Sequence, residues 1–182
     1  MNKEIIIIVG KTGSGKSFLF NKFIEKGFIG SVKYTTRPIR KFEVDGVSYN
    51  FTNLEKFNEM VANNDFFVYE SFKVSPKDKD DEIWYYGILK SDFNDCGVFI
   101  MTPGEVAKLN KSIRDKSYIV YLDIPRDIRE NRLNRRNDVN DNIKRRMDSD
   151  DKDFEYFIDY DLSVIDPDFT MEDIYEQLKK ES

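Results

Sequence analysis

Histidine is absent from this 182-residue chain. That excludes any mechanism built on an imidazole base, an imidazole relay or an imidazole metal ligand. Cysteine is almost absent: Cys96 stands alone, which rules out an internal disulfide and a cysteine-rich zinc site. A lone cysteine suits a reducing compartment, so a cytoplasmic setting is expected, with Cys96 a small buried residue rather than a reactive thiol. No apolar run approaches the roughly 18 residues of a membrane span. The run Ile5–Val9 reads as a strand, not as a signal peptide, and no membrane partner is expected. Positive charge is not in excess: 29 Lys and Arg against 34 Asp and Glu give a net charge of −5, which argues against general nucleic-acid binding. Internal repeats and low-complexity tracts are also missing. What is present, 40% hydrophobic residues with 15 Phe and 10 Tyr, suffices for one packed domain.

The strongest positive signal follows the first apolar run. Gly10-Lys11-Thr12-Gly13-Ser14-Gly15-Lys16-Ser17 matches G-x-x-x-x-G-K-[ST], with a strand-like run before it and helical apolar spacing after it through Phe18, Leu19, Phe20, Phe23 and Ile24. Glycines let the backbone wrap a phosphate with its N–H groups, and the helix N-terminus adds partial positive charge. Lys16 is placed to reach the β- and γ-phosphates of a nucleoside triphosphate, and the Ser17 hydroxyl to bind Mg²⁺.

Further apolar runs at 97–101, 117–122 and 161–165, each with helix-like spacing nearby at 103–114, 125–136 and 170–180, predict a parallel sheet flanked by helices. Residues 31–90 break this rhythm. Strands at 47–51 and 66–70 around a helix near 53–63 predict an inserted α+β lobe, with 73–82 a long exposed turn. A cationic stretch (Arg126, Arg129, Arg132, Arg135, Arg136, Lys144, Arg145, Arg146) precedes an acidic one (Asp148, Asp150, Asp151, Asp153, Glu155). Two readings stand: solvated helix faces laced by i,i+4 pairs, or a lid whose arginines close over phosphates. Spacing through Ile143, Met147, Phe154 and Phe157 predicts that the second arm continues as a packed helix.

The second signal runs from Lys33 to Phe51. Arg37 and Arg40, three apart, can each fork onto phosphate oxygens, and Tyr49, beyond the Asp45-Gly46 turn, offers a hydroxyl donor. The string Thr35-Thr36-Arg37…Arg40…Glu43…Asp45-Gly46…Tyr49…Phe51 resembles the acceptor-phosphate motif of guanylate kinases. Trp84-Tyr85-Tyr86-Gly87 resembles that family's later Y-Y-G segment, and Arg132-Leu133, Arg136 and Arg145-Arg146 resemble its lid. The resemblance implies an α/β fold: a P-loop NTPase parallel sheet flanked by helices, carrying an inserted NMP-binding lobe and an Arg-rich lid. As one kinase domain it would have a core of 1–32, 91–133 and 151–182, a lobe of 33–90 and a lid of 134–150. It further implies that Lys16 and Ser17 hold ATP and Mg²⁺, that Arg37, Arg40, Tyr49 and Tyr86 bind the acceptor monophosphate, and that Arg132, Arg136 and Arg146 close on the transferring group. Catalysis would then rest on Lys16 and these arginines, Arg37 included. The lack of histidine is no obstacle, because a nucleotide phosphate is already a nucleophile and the protein's task is positioning and charge neutralisation.

The departures from the family pattern gather at base recognition. Lys33 replaces a serine that contacts guanine. Val68 replaces a glutamate that reads the guanine edge, while Glu70 lies two residues on and so on the same strand face. Ile100 and Thr102 stand where acidic residues help organise Mg²⁺ or read the base. The segment 73–83 exceeds the family's tight turn, and Ile88 replaces a small hydroxyl residue. Lys33, Glu70 and Thr102 are therefore grouped with the acceptor site, and GMP or dGMP is the first expected acceptor. Asp123 reads as a loop or cap residue rather than a replacement metal ligand, Trp84 as packing beside Tyr86, and Pro103-Gly104 as a strand-to-helix turn. Two other functions stay open: a guanylate kinase-like protein-interaction module, and a kinase for a sugar phosphate.

Overall fold

Five consecutive branched apolar residues need cover on both sides, and a central parallel strand provides it. The computed structural model describes residues 5–41, 43–74, 81–93, 97–136 and 143–181. In chain order its elements are β1 (Ile5–Gly10), α1 (Lys16–Glu25), β2 (Tyr34–Thr35), β3 (Asn50–Phe51), α2 (Leu54–Ala62), β4 (Phe66–Val74), β5 (Glu82–Leu89), β6 (Gly97–Ile100), α3 (Pro103–Val106), α4 (Lys111–Lys116), β7 (Ser117–Leu122), α5 (Arg126–Arg136), α6 (Ile143–Asp153), β8 (Leu162–Val164) and α7 (Met171–Glu181). They fall into two units. One takes the described residues up to Gly30 with 97–136 and 143–181, and the other takes 31–93.

The first unit is built on a parallel sheet ordered β6-β1-β7-β8. Every residue of β1 is buried. Ile6 and Ile8 on one face join Val98, Tyr118 and Val120 against Leu19 and Phe23 of α1 and Met171, Ile174 and Leu178 of α7. On β7, Tyr121 stacks on Phe154 just beyond α6 and meets the rings of Phe157 and Tyr160. The expectation of strands at 97–101, 117–122 and 161–165 agrees with β6, β7 and β8 to within a residue or two. The single helix expected over 103–114 is instead two short ones. Thr102 and Glu105 form a reciprocal capping box that starts α3, and Asn110 accepts from the Ile113 N–H to start α4 afresh.

The second unit carries a sheet ordered β3-β2-β5-β4. Its long antiparallel pair runs from Phe66↔Leu89 to Val74↔Glu82. The turn expected over 73–82 is therefore shorter than the sequence implied, since Lys73, Val74 and Glu82 belong to the strands; residues 75–80 lie outside the described residues, as does Cys96. Of the strand expected over 47–51 only Asn50–Phe51 forms. Gly46, at φ 75°, and the Asp45 and Ser48 side chains turn the chain instead, with Asp45 Oδ1 accepting from the Phe51 N–H at 2.8 Å and Ser48 Oγ from the Val44 N–H at 3.2 Å. Phe57 of α2 stacks on Phe66 of β4 with ring centroids 4.5 Å apart. Trp84 is buried and donates to Glu82 Oε2 at 2.8 Å, a packing role. Among the described residues no helix is long and apolar enough to cross a membrane.

Candidate active site

In the first unit β1 ends at Gly10 and α1 begins at Lys16, so the glycine-rich loop joins a buried strand to a helix N-terminus. Gly13 (φ 78°) and Gly15 (φ 107°) lie in the left-handed region that side chains disfavour. A Cβ on Gly13 would also sit 2.9 Å from the Arg129 carbonyl oxygen. Gly15 is the N-cap of α1 and brings no side-chain cap, which leaves that end of the helix suited to an anion. Lys16 Nζ donates to Gly10 O at 2.5 Å and to Lys11 O at 3.0 Å, so its ammonium curls over the loop. Ser17 is the second residue of α1 and is exposed.

The arginines of α5 and α6 reach the same loop. Arg132 Nη1 donates to Ser14 O at 3.1 Å and Gly13 O at 3.3 Å, and its Nη2 to Pro167 O at 2.6 Å. Arg146 Nη2 donates to Thr12 Oγ1 at 2.9 Å. Arg136 closes α5, and its side chain lies outside the described residues, as do lid residues 137–142. The acidic stretch also engages the loop: the Thr12 N–H donates to Asp150 Oδ2, and Lys11 Nζ pairs with Asp151 Oδ1 at 3.0 Å. Arg126 pairs with Asp148 Oδ1 at 2.6 Å and with Asp151. The cationic and acidic stretches thus pair between two helices and onto the loop, so the picture of solvated faces laced by i,i+4 pairs does not describe this region.

In the second unit the acceptor motif forms a compact cationic site. Arg37, only 3% exposed, is gripped by Glu43, with Nη1 to Oε2 at 2.9 Å and Nη2 to Oε1 at 2.8 Å. The Arg40 N–H donates to Glu43 Oε2 at 2.9 Å. The Arg37 guanidinium lies 5.0 Å from the Tyr49 ring centre and 5.5 Å from that of Phe51, and Tyr49 meets Tyr86 edge-on at 5.9 Å. Burial pulls the Arg37 pKa down, but Glu43 and the hydroxyls of Tyr86 and Tyr49 outweigh it and hold the group firmly charged. Glu70 pairs across the strands with Tyr86, which puts it on the sheet face of that tyrosine, while Val68 is buried. Lys33 precedes β2, and its carbonyl accepts from the Asn50 N–H at 2.8 Å.

Thr102 belongs to the first unit, and its hydroxyl is occupied as the cap of α3, accepting from the Glu105 N–H at 3.1 Å. Asp123 accepts from the Tyr121 hydroxyl at 2.8 Å and donates its N–H to Val164 O at 2.9 Å, a structural role at the end of β7. Burial, first, and then this hydrogen bond push the Tyr121 pKa well above its ordinary value. Sequence reasoning missed Glu43, Arg129, Asp150 and Asp151 as site-shaping residues. Glu43 was visible inside the acceptor string, whereas the others carried only the signal of adjoining charge blocks.

Comparison with known proteins decides the family. The family model described as guanylate kinase matches residues 2–83. The guanylate kinase of Rickettsia prowazekii (strain Madrid E) is 31% identical over 185 residues, spanning 96% of this chain and 90% of that protein. This chain belongs to the guanylate kinase family. The guanylate kinase of Mycoplasmoides gallisepticum is also 31% identical, spanning 98% of this chain and 94% of that protein. The crystal structure of guanylate kinase from Anaplasma phagocytophilum shares the fold, with a TM-score of 0.69 over 100% of this chain and 87% of that one, at 20% identity. Family membership makes the chain a nucleoside monophosphate kinase.

Proposed function

We propose that this protein transfers the γ-phosphoryl group of Mg²⁺-bound ATP to the phosphate of a guanine nucleoside monophosphate, GMP or dGMP, releasing ADP and the nucleoside diphosphate. One observation carries the reading: a single chain holds both an intact triphosphate loop, with Lys16 curled over left-handed glycines, and a buried, carboxylate-oriented arginine with two tyrosines beside it. A protein-interaction module has no need of either. The curated relatives are named guanylate kinases, which supports guanine as the acceptor base.

An acceptor phosphate oxygen attacks the γ-phosphorus, the bond to the β,γ-bridging oxygen breaks, and ADP carries that oxygen away. Negative charge spreads over the equatorial oxygens, so the protein contributes orientation and positive charge rather than a base. In this reading residues 33–90 are the acceptor lobe, 134–150 the lid, and 1–32, 91–133 and 151–182 the core. Lys16 steadies the β- and γ-phosphates. Arg132 and Arg146 leave their carbonyl and hydroxyl partners to meet the transferring group, which Arg136 also meets. Arg37, Arg40, Tyr49 and Tyr86 hold the acceptor phosphate, and Lys33 and Glu70 face its base. Thr102 is the weakest member of the set, because its hydroxyl is already a helix cap. Mg²⁺ fits as an ion carried largely by phosphate and water, with the exposed Ser17 hydroxyl as the protein ligand; among the described residues no three acidic, His or Cys side chains cluster to hold a metal. When bound, it neutralises charge on the phosphate oxygens.

The test is ADP release from Mg²⁺ and ATP across a panel of ribo- and deoxyribonucleoside monophosphates, with Lys16→Ala and Arg37→Ala as controls. Each variant is expected to lose roughly 10²-fold or more in turnover, the scale for removing a preorganised charge. Turnover equal to that of the parent protein in both variants would remove the proposed site. Turnover of a sugar phosphate alone would replace the acceptor.

A further inference from the structure

Arg129 is among the most deeply buried large side chains of the described residues, at 2% exposure, although it is a cation on a helix whose only apolar residues are Ile128 and Leu133. A guanidinium withdrawn from water must be satisfied by fixed acceptors. Its Nε donates to Ile124 O at 2.9 Å, at the end of β7. Its Nη1 reaches Thr12 O at 3.4 Å in the phosphate loop, and its Nη2 reaches Asp151 Oδ1 on α6, also at 3.4 Å. The Arg129 backbone packs where a side chain on Gly13 would lie. Asp151 in turn holds Lys11 and Arg126, while Asp150 accepts the Thr12 N–H. With Arg146 on the Thr12 hydroxyl, the side chain, N–H, carbonyl and hydroxyl of successive loop residues are all held by α5 and α6.

Lys11, Arg126 and Arg129 face Asp148, Asp150 and Asp151, so these six groups offset one another and Arg146 carries the cluster's remaining positive charge. The cluster's geometry serves to hold Lys11 to Gly13, the first half of the loop whose amides must stay aimed at the triphosphate. We propose that Arg129 and Asp151 are positioning residues for the ATP-binding loop, locking its Lys11–Gly13 segment to the helices that carry the lid arginines. Arg146 lies five residues before Asp151 on α6, so the lid arginine and the loop clamp move with one rigid element. Burial pushes the Asp151 pKa up, but the Lys11 hydrogen bond and the charges of Lys11 and Arg126 outweigh it and keep it ionised for this role.

This inference rests on reading the loop as the ATP site. The experiment measures ADP affinity by calorimetry and separate KM values for ATP and the acceptor, together with kcat and Tm. The variants are Asp151→Asn, Asp151→Glu and the pair Arg129→Met with Asp151→Asn. The double variant replaces the buried Arg129 and its partly exposed partner Asp151 by uncharged groups of similar size and guards against a folding failure in Asp151→Asn, since such swaps are often tolerated. Asp151→Asn and the double variant are expected to raise KM for ATP and weaken ADP binding by about tenfold, less than the roughly 10²-fold that a misplacement of about 1 Å can cost. The acceptor KM is expected to stay within about twofold, and Asp151→Glu to recover most of the ATP affinity. A fall in Tm with ADP affinity and ATP KM unchanged would make the cluster structural only and overturn the inference. Parent protein that fails to bind ADP would instead overturn the ATP-site reading itself.

Discussion

Glu43 holds Arg37 with both carboxylate oxygens, at 2.9 and 2.8 Å, and the same carboxylate accepts the Arg40 N–H at 2.9 Å. One acidic residue therefore sets the orientation of the Arg37 guanidinium and the backbone of Arg40. A bidentate charge-assisted pair fixes the plane of a guanidinium, which a single contact does not. Glu43→Gln keeps the shape but removes the charge and one acceptor. The expected result is an acceptor KM raised about tenfold or more, with the ATP KM within about twofold. Steady-state kinetics with each substrate varied in turn checks it, and an unchanged acceptor KM counts against an orienting role.

The same pair sets an acid limit on stability. Burial alone pushes the Glu43 carboxyl up, but the Arg37 hydrogen bonds, the Arg40 N–H and both positive charges outweigh it, so it titrates below its ordinary value of 4.5. A depressed folded-state value means that the carboxylate's contribution is complete above about 4.5 and is lost as the pH falls through the lower folded-state value. The Tm gap between the parent protein and Glu43→Gln is therefore expected at neutral pH and to narrow below about pH 4.5. A gap independent of pH in thermal melts would remove Glu43 from this account.

Glu70 faces the same way as Tyr86, its cross-strand partner, and Tyr86 touches the ring that covers Arg37. Glu70→Gln exchanges one acceptor oxygen for a donor next to the acceptor set. The ranking of bases in the monophosphate panel is expected to change by tenfold or more between some pair, the scale on which mismatched polar partners act. The ATP KM is expected to hold. A preserved ranking would take Glu70 out of base reading.

Gly87 lies beneath the Phe66 ring, where an added Cβ would come within 2.5 Å of two ring carbons. The ring is buried and stacked on Phe57, so it has little room to give. Gly87→Ala is expected to destabilise the second unit by about 1–3 kcal/mol through overpacking. Chemical denaturation followed by aromatic fluorescence measures this directly, and an unchanged midpoint would show that the ring moves aside freely.

The strand–loop–helix at Gly10–Ser17 was legible because its pattern is local: eight residues, a strand before and a helix after. Arg37 and Arg40 stood out for the same local reason, whereas the grip of Glu43 on Arg37, six residues away, was not read. Strand β5 was not read as one because its pairing with β4 spans a polar stretch that read as a turn. The break between α3 and α4 was hidden because a helix period continues across it, and only the caps at Thr102 and Asn110 mark the restart.

Sequence alone determined the β–α alternation of the first unit, the strand–loop–helix around Gly10–Ser17 and the absence of histidine, since each is read from composition or from spacing within a few residues. Tertiary structure decided the partners of the charge blocks. Asp150 meets Thr12 across 138 residues, and Arg129 meets the Thr12 carbonyl across 117. No local pattern encodes such pairings; they arise only when α5 and α6 dock beside the loop, because a buried cation must find acceptors wherever packing has placed them.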